Sequence, residues 1–252
     1  MLIVLPPSEG KASGGDGPPL RLEELSFPEL RPARERALAA LERVCRREDA
    51  AHVLALPRTQ AQEALRRNRE LRRAPTLPAS RLYTGVLHEN LALESLNADA
   101  RRAAEEQIVI LSGLWGALRL TDRVPPYRLA MGLALPPLGA LAAFWRPALA
   151  RALRPAGLVV DMRSAPYAAA WRPAAPCTAV RVLRQRPGPD GTPRRTVVSH
   201  AAKATRGKIA HDLLNAGVDP ASPEELLKAV RDLGYTAELA DGGGRLDVVL
   251  HA

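Results

Sequence analysis

The chain has 252 residues, of which 46% are hydrophobic and only 4% aromatic, and its formal net charge is +9. Its length and apolar fraction predict one large domain or two small ones with an aliphatic core, and no apolar run is long enough to predict a membrane-spanning helix. The two cysteines and five histidines lack ligand or disulfide spacing, so neither a metal site nor a disulfide framework is predicted.

The N-terminal part combines a short apolar run with amphipathic helical patterns. Residues 2–5 predict a buried strand that ends at two prolines, and helical patterns follow over 32–48 and 58–73. The run 82–87 fits a short strand or a turn. The apolar start has no basic region before it and is too short for a signal peptide, so we expect a cytoplasmic protein.

The central part alternates helices and strands. The segment 91–106 is helical but carries an N-cap-type asparagine in its middle, which would divide it into two pieces. The run 107–111 predicts a central strand. A helix is predicted over 139–154, with an internal proline that must kink or interrupt it, and another buried strand over 158–162.

The C-terminal part is rich in β-hairpin and helix signals. Strand-like runs are predicted over 177–185 and 194–200, joined by PGPDGTP, and a helix over 202–215. A second helix is predicted to be capped by Ser222, with Glu225 completing a capping box. The runs 235–240 and 245–251 predict a terminal hairpin. We therefore predict a single α/β domain over residues 1–252, with a mixed β-sheet flanked by helices.

Polar side chains follow four of the predicted strands. Ligands in open α/β sheets bind outside the carboxyl ends of the strands, so we expect these side chains to converge on one site. Glycines let the backbone approach a ligand closely, and arginines suit phosphate. The candidates are Ser8, Glu9 and Lys11; then Ser112, Gly113, Gly116, Arg119, Arg123, Tyr127 and Arg128; then Arg163, Ser164 and Tyr167; and finally Lys203, Arg206 and His211.

Three of these four segments have a purely structural alternative. The GLWG run fits a tight turn with Trp115 in the core and Asp122 as an ion-pair partner. Glu9 and Lys11 fit an exposed ion pair. Lys203 and Arg206 in the first turns of a helix suggest a bound anion, because cations there oppose the helix dipole, but they also fit a solvated basic face.

Several segments together carry a resemblance to a known family. PPSEGK at 6–11, LYTG at 82–85, the run 111–132, FW at 144–145 and KATRGKIAH at 203–211 occur in family order. On these motifs the chain resembles the peroxide stress protein YaaA family. The resemblance implies a mixed α/β fold with a positively charged cleft, a role in oxidative stress, double-stranded DNA binding, and a helix-hairpin-helix-like element for which Gly113 to Gly116 is the candidate turn.

Three functions follow as hypotheses. In the first, a cytoplasmic peroxide stress protein binds double-stranded DNA through the basic cleft, contacting phosphates through Ser112, Gly113, Gly116, Arg119, Arg123, Tyr127, Arg128, Lys203 and Arg206. In the second, an enzyme acts on a nucleotide-like or phosphorylated small molecule, with Glu9, Lys11 and Tyr167 as catalytic candidates and Lys203 and Arg206 as the anion clamp. In the third, the helices at 32–73 bind a protein partner. No cofactor, metal or membrane contact is predicted.

Overall fold

The computed structural model describes residues 1–187, 192–198 and 200–251. Its strands, in chain order, are β1 Leu2–Leu5, β2 Leu77–Pro78, β3 Ile108–Ser112, β4 Gly116–Leu118, β5 Arg123–Val124, β6 Ala134–Leu135, β7 Gly139–Ala140, β8 Val159–Asp161, β9 Cys177–Pro187, β10 Pro193–Val197, β11 Ala237–Ala240 and β12 Arg245–His251. Its α-helices are α1 Arg31–Val44, α2 Ala50–Val53, α3 Arg58–Glu70, α4 Ala79–Leu82, α5 Val86–Leu91, α6 Ala98–Gln107, α7 Leu141–Ala152, α8 Ala165–Ala168, α9 His200–Asn215 and α10 Pro223–Asp232.

An eight-stranded mixed sheet flanked by helices forms the centre of the molecule. Its order is β11–β12–β9–β8–β1–β3–β4, and β10 also pairs with β9. The inner strands β12, β9, β8, β1 and β3 run parallel, whereas β4, β10 and β11 are antiparallel to their neighbours. The carboxyl ends of β8, β1 and β3 therefore lie side by side at one edge of the sheet.

The central strands β1 and β3 are apolar along their length, as expected where both faces of the sheet are covered. Every residue of β3 is buried, and Ile3, Val4 and Leu5 of β1 are fully buried. Continuous apolar runs of this kind are typical of parallel strands between helical layers. In the described residues, no helix has both the length and the hydropathy that crossing a bilayer requires.

The structure confirms most of the predicted elements. The strand at 2–5 is β1, the segment 91–106 is divided at Asn97, whose side chain accepts a hydrogen bond from Ala100 N, and the terminal hairpin is β11 with β12. The predicted cap also forms, since Ser222 Oγ accepts from Glu225 N at 3.2 Å. Residues 188–191 of the predicted PGPDGTP loop, and residue 199, lie outside the described residues.

Three predicted elements differ from the structure. The run 82–87 is neither a strand nor a turn: it is divided between the end of α4 and the start of α5. The first long helix ends at Val44 instead of continuing to 48. The helix predicted over 139–154 is the shorter α7, Leu141–Ala152, and Pro147 lies inside it without interrupting it.

Candidate functional site

A cavity of about 560 Å³ opens at the sheet edge where β1 and β8 end. Five segments supply its lining: residues 6–11, 84–88, 128–132, 164–167 and 200–206. We call it the basic cavity, because Lys11, Arg128, Lys203 and Arg206 line it, and Glu9 is the one acidic side chain among its described lining residues. The structure therefore brings together candidates from all four strand-following segments of the sequence.

The loop after β1 is tied to the segment between α4 and α5, and this connection positions Lys11. The backbones of Lys11 and Tyr83 form an isolated antiparallel bridge. Ala12 N donates to Leu82 O at 3.0 Å, and Thr84 N donates to Gly10 O at 3.4 Å. These contacts hold the Lys11 backbone in place, and its ammonium group donates to Ser8 O at 2.8 Å.

The amine of Lys11 lies among aromatic rings and other cations. Its Nζ is 4.5 Å from the ring centre of Tyr127 and 5.5 Å from that of Tyr83. Burial, followed by the positive charges of Arg128 and Arg67, lowers the pKa of Lys11 from 10.5 to about 7, although Glu9 opposes the shift. About half of the Lys11 side chains are therefore neutral at pH 7.

A chain of hydroxyl groups lies behind Lys11. Tyr83 Oη and Tyr127 Oη are 2.9 Å apart, and Tyr127 Oη is 2.7 Å from Ser112 Oγ. Ser112 Oγ in turn accepts from Trp115 N at 2.9 Å. Burial raises the pKa of both phenols, so both keep their protons at neutral pH. These linked hydroxyl groups connect the cavity wall to the end of β3, and they hold in place the two tyrosine rings that Lys11 contacts.

Arg128 is held in place by its backbone and by an acidic neighbour. The buried Asn68 of α3 donates to Arg128 O and accepts from Arg128 N, both at 2.9 Å. The Arg128 guanidinium donates to Glu9 Oε2 at 3.1 Å and to Glu9 O at 3.2 Å. The Glu9 side chain is 85% exposed, so it lies at the rim of the cavity and not at its floor.

Close packing of α9 on α5 brings Lys203 and Arg206 to the cavity. A Cβ at Gly207 would come within 2.1 Å of Leu87 O, so only glycine permits this approach. His211 Nδ1 lies 3.0 Å from Leu91 O and joins the same two helices further along. Arg206 donates through Nε to a strand carbonyl of β9, and burial lowers its pKa, whereas the Lys203 side chain is exposed at the mouth.

His88 lines the cavity as a neutral group. Its Nε2 is 3.1 Å from Pro6 O, and because a carbonyl can only accept, Nε2 carries the proton and Nδ1 is an acceptor. Burial lowers the pKa of His88 to about 4, and the charge of Lys11 adds to this effect. The ring stacks on Tyr83 with centroids 5.5 Å apart. Within the described ranges, no three His, Cys, Asp or Glu side chains are grouped to hold a metal ion.

The segment after β8 contributes Ser164 and Tyr167 to the cavity, but not Arg163. Burial raises the pKa of Tyr167, whose hydroxyl accepts from Met131 N at 3.5 Å. Arg163 is buried and makes a bidentate pair with Asp161, with N–O distances of 2.8 and 2.6 Å. It therefore fixes the turn after β8 and does not face a ligand.

Two of the arginines expected at the site lie elsewhere. Arg119 follows β4, which runs back along β3, and its guanidinium donates to Glu106 O and to Ile108 O at the opposite end of that strand. Arg123 pairs with Asp16 and lines a separate cavity of about 270 Å³. Neither residue lines the basic cavity.

The GLWG segment follows its structural alternative. A Cβ at Gly113 would meet Leu129 O at 2.8 Å, and one at Gly116 would meet the Trp145 ring at 2.6 Å, so both glycines are required by packing. The whole turn is buried between β3 and β4, two antiparallel strands. The expectation of a helix-hairpin-helix-like turn here was wrong: strands flank the turn, and its amides are shielded from any phosphate.

Trp115 takes the structural role proposed for it, whereas Asp122 is structural without being an ion-pair partner of any described residue. Trp115 is fully buried, and Asp122 accepts from Ser26 N and Arg119 N, both at 2.8 Å. The fully buried Arg34 of α1 clamps the same region by donating to the carbonyl groups of Ser26, Trp115 and Ala117, and burial lowers its pKa to about 10. The partners of Asp122 in the described part of the chain are backbone amides and the Ser26 hydroxyl, so the ion pair expected from the sequence does not form there.

Sequence reasoning missed two members of the site, Tyr83 and His88. Tyr83 belongs to the segment 82–87 that was predicted as a short strand or turn, and His88 follows it directly. The signal for Tyr83 was the LYTG motif, one of the segments that carry the family resemblance. For His88 there was no signal, since an isolated histidine on a helix has no distinctive spacing.

Comparisons with known proteins agree with this architecture. The model of the family described as peroxide stress protein YaaA matches residues 1–240. A UPF0246 protein of Streptomyces coelicolor is 48% identical over 265 aligned positions, covering 100% of this chain and 99% of the relative. A UPF0246 protein of Corynebacterium efficiens is 37% identical, covering 96% of each chain. The chain therefore belongs to the peroxide stress protein YaaA family.

Proposed function

We propose that the protein is an enzyme that binds a phosphorylated, nucleotide-like small molecule in the basic cavity. The observation that carries this proposal is the collection of four cationic side chains around about 560 Å³, with Glu9 as the one acidic side chain among the described lining residues. Ligand cavities of small molecules typically measure about 300–1,000 Å³ and combine apolar walls with a few polar groups. Leu87 and Leu129 supply such walls here.

The proposed roles follow from position and charge. Arg128, Lys203 and Arg206 bind the phosphate, because guanidinium and ammonium groups suit its charge and geometry. Lys11 supplies a neutral amine to the reaction, because its pKa of about 7 lies close to physiological pH. Glu9 is a weaker catalytic candidate than the sequence suggested, since it is exposed and paired with Arg128.

Ligand binding by matched variants tests the proposal. We expect a panel of nucleoside phosphates and sugar phosphates, measured by isothermal titration calorimetry, to contain a ligand that binds with a Kd below about 1 mM. Lys203→Gln should weaken this binding at least about tenfold, which corresponds to about 1.4 kcal/mol. Lys208→Gln is the control, because Lys208 lies on the same helix but pairs with Asp212 outside the cavity.

Equal binding by both variants, or no binding of any phosphorylated compound, would count against a phosphate site at this position. A Kd that changes only in Lys203→Gln would support it. The measurement does not depend on turnover, so it can be made before a reaction is known.

A second candidate function, binding of double-stranded DNA, is favoured by a different observation. In the β9–β10 ribbon, Arg186 pairs opposite Arg194, and Arg184 lies two residues from Arg186 on the same face. Within the described part of the chain, none of these three arginines has an ion-pair partner. A two-stranded ribbon fits the major groove of DNA, and unpaired arginines suit its phosphates.

The salt dependence of DNA binding tests this second function. Each phosphate contact contributes about −0.9 to the slope of log K against log salt concentration. Replacing the three ribbon arginines by glutamine should therefore make the slope less steep by about 2 to 3. A triple variant at Arg43, Arg58 and Arg151, which are exposed on other helices, has the same net charge and is the control.

Equal slopes for the ribbon variant and the control, or no binding of duplex DNA by micromolar protein at low salt, would contradict a DNA-binding ribbon. Arg119 and Arg123, which the sequence offered as phosphate contacts, are already engaged by protein groups. For this reason DNA binding is placed second.

A further inference from the structure

Lys11 has the surroundings of an amine that reacts and not those of an amine that forms an ion pair. Its hydrogen bond goes to an uncharged backbone carbonyl, Ser8 O, at 2.8 Å. The nearest carboxylate, that of Glu9, is bound to Arg128. The remaining groups around Nζ are the ring faces of Tyr127 and Tyr83, at 4.5 and 5.5 Å.

Three charged neighbours act on the protonation of Lys11. Arg128 and Arg67 disfavour the ammonium form and Glu9 favours it, while burial dominates and brings the pKa to about 7. His88, at the same wall, is itself held neutral. Compared with a lysine of ordinary pKa, Lys11 has about a thousandfold more neutral amine at pH 7. A neutral amine has the lone pair that nucleophilic attack requires.

We propose that Lys11 Nζ forms an imine with the carbonyl carbon of a small aldehyde or ketone that carries a phosphate group. The proposal rests on the proposed small-molecule function and names its substrate class. The phosphate would be bound by the other cations of the basic cavity, Arg128, Lys203 and Arg206, which line it together with Lys11. The carbonyl end of the same molecule would then reach the amine.

The step balances without any oxidant or reductant. The nitrogen lone pair attacks the carbonyl carbon, the C–N bond forms, and the π electrons of the carbonyl move to its oxygen. The oxygen gains a proton, the nitrogen loses one, and the resulting carbinolamine expels water to give the imine. Tyr167 lines the cavity and keeps its proton because burial raises its pKa, so it can protonate the departing oxygen. Hydrolysis reverses the sequence.

Reductive trapping gives a direct test. Glyceraldehyde 3-phosphate and sodium cyanoborohydride are added to the full chain at pH 7, and the modified residues are identified by peptide mass mapping. The chain has four lysines, Lys11, Lys203, Lys208 and Lys228, so the assignment is simple. We expect Lys11 to be modified at least about tenfold faster than Lys228, an exposed lysine whose pKa is raised by Asp232.

The pH profile separates a reactive Lys11 from incidental labelling. Labelling of Lys11 should rise through about pH 7 and then level off, whereas labelling of Lys228 should still rise towards pH 10. Uncharged glyceraldehyde should modify Lys11 more slowly than its phosphate does, and Lys203→Gln should reduce this preference. Lys11→Met should abolish the Lys11-dependent mass increase. Equal labelling of Lys11 and Lys228, or profiles of the same shape, would overturn the imine proposal.

Failure of this proposal can be told from failure of the proposed function. If calorimetry finds a phosphorylated ligand whose binding is weakened in Lys203→Gln, yet Lys11 is not trapped, the imine is wrong and the phosphate site remains. If Lys11 is trapped equally by glyceraldehyde and by its phosphate, the amine is reactive but the phosphate site is wrong.

Discussion

Replacing Lys11 by methionine should change how the stability of the protein depends on pH. The pKa of Lys11 is about 7 in the folded protein and 10.5 as the ordinary value. Between these two pH values the unfolded chain holds a proton that the folded chain does not, so unfolding takes up a proton. The contribution of Lys11 to the stability of the natural protein therefore falls as the pH is lowered from about 10 to about 7, and then levels off. Methionine has no such proton.

The size of the effect follows from the same pKa shift. Without any screening by solvent, this pKa shift makes Lys11→Met more stable relative to the natural protein by about 2.5 kcal/mol as the pH is lowered from 9 to 6. The Lys11 side chain is partly exposed, and solvent screening reduces this to about 1 kcal/mol. A constant offset from the lost hydrogen bond to Ser8 O does not affect the slope.

Urea denaturation of both proteins at several pH values between 6 and 9 measures this difference. Lys228→Met is the control, because Asp232 raises the pKa of Lys228 and the residue stays protonated in both states over this range. Its stability difference should not vary with pH. If the stability difference between Lys11→Met and the natural protein is also independent of pH, then Lys11 does not have a pKa near 7 in the folded protein.

Two further predictions concern the packing that supports the site. Gly207→Ala should lower the free energy of unfolding by about 2–3 kcal/mol, because its Cβ would lie 2.1 Å from Leu87 O, whereas Gly157→Ala, with nothing within 4 Å, should change it little; urea denaturation measures both. Arg34→Met should cost about 3 kcal/mol because it leaves buried carbonyl groups unpaired, and Arg43→Met, exposed on the same helix, should stay within about 0.5 kcal/mol. An equal loss in both arginine variants would contradict the clamping role of Arg34.

The convergence of the site was predictable because it depends on strand direction. Residues that follow parallel strands leave the sheet at the same edge, and the apolar runs of β1, β3 and β8 were visible in the sequence. This reasoning holds for Lys11 and Ser164, which follow β1 and β8. Arg128 and Lys203 also line the cavity, but Lys203 follows the antiparallel strand β10 and Arg128 comes after the reversal at β4. The mixed sheet flanked by helices followed from the same alternation of strands and helices.

The misplaced arginine Arg119 reflects a reversal of the chain, which local sequence does not report. After β3 the chain turns back as β4 and carries Arg119 away from the edge where Ser112 lies. Tyr83 and Tyr127 meet through hydroxyl groups although they are distant in the chain. Such contacts depend on tertiary packing, and a periodicity of apolar residues contains no information about them.

The place of β1 in the middle of the sheet has a consequence for biosynthesis. The first strand to leave the ribosome pairs on its two sides with strands whose registers begin at Ile108 and Val159. Until residue 112 of 252 has been made, LIVL has neither neighbour and remains an exposed apolar segment. Pairing of this kind is slow because a long loop must close first. Nascent chains of this protein should therefore be natural clients of ribosome-associated chaperones.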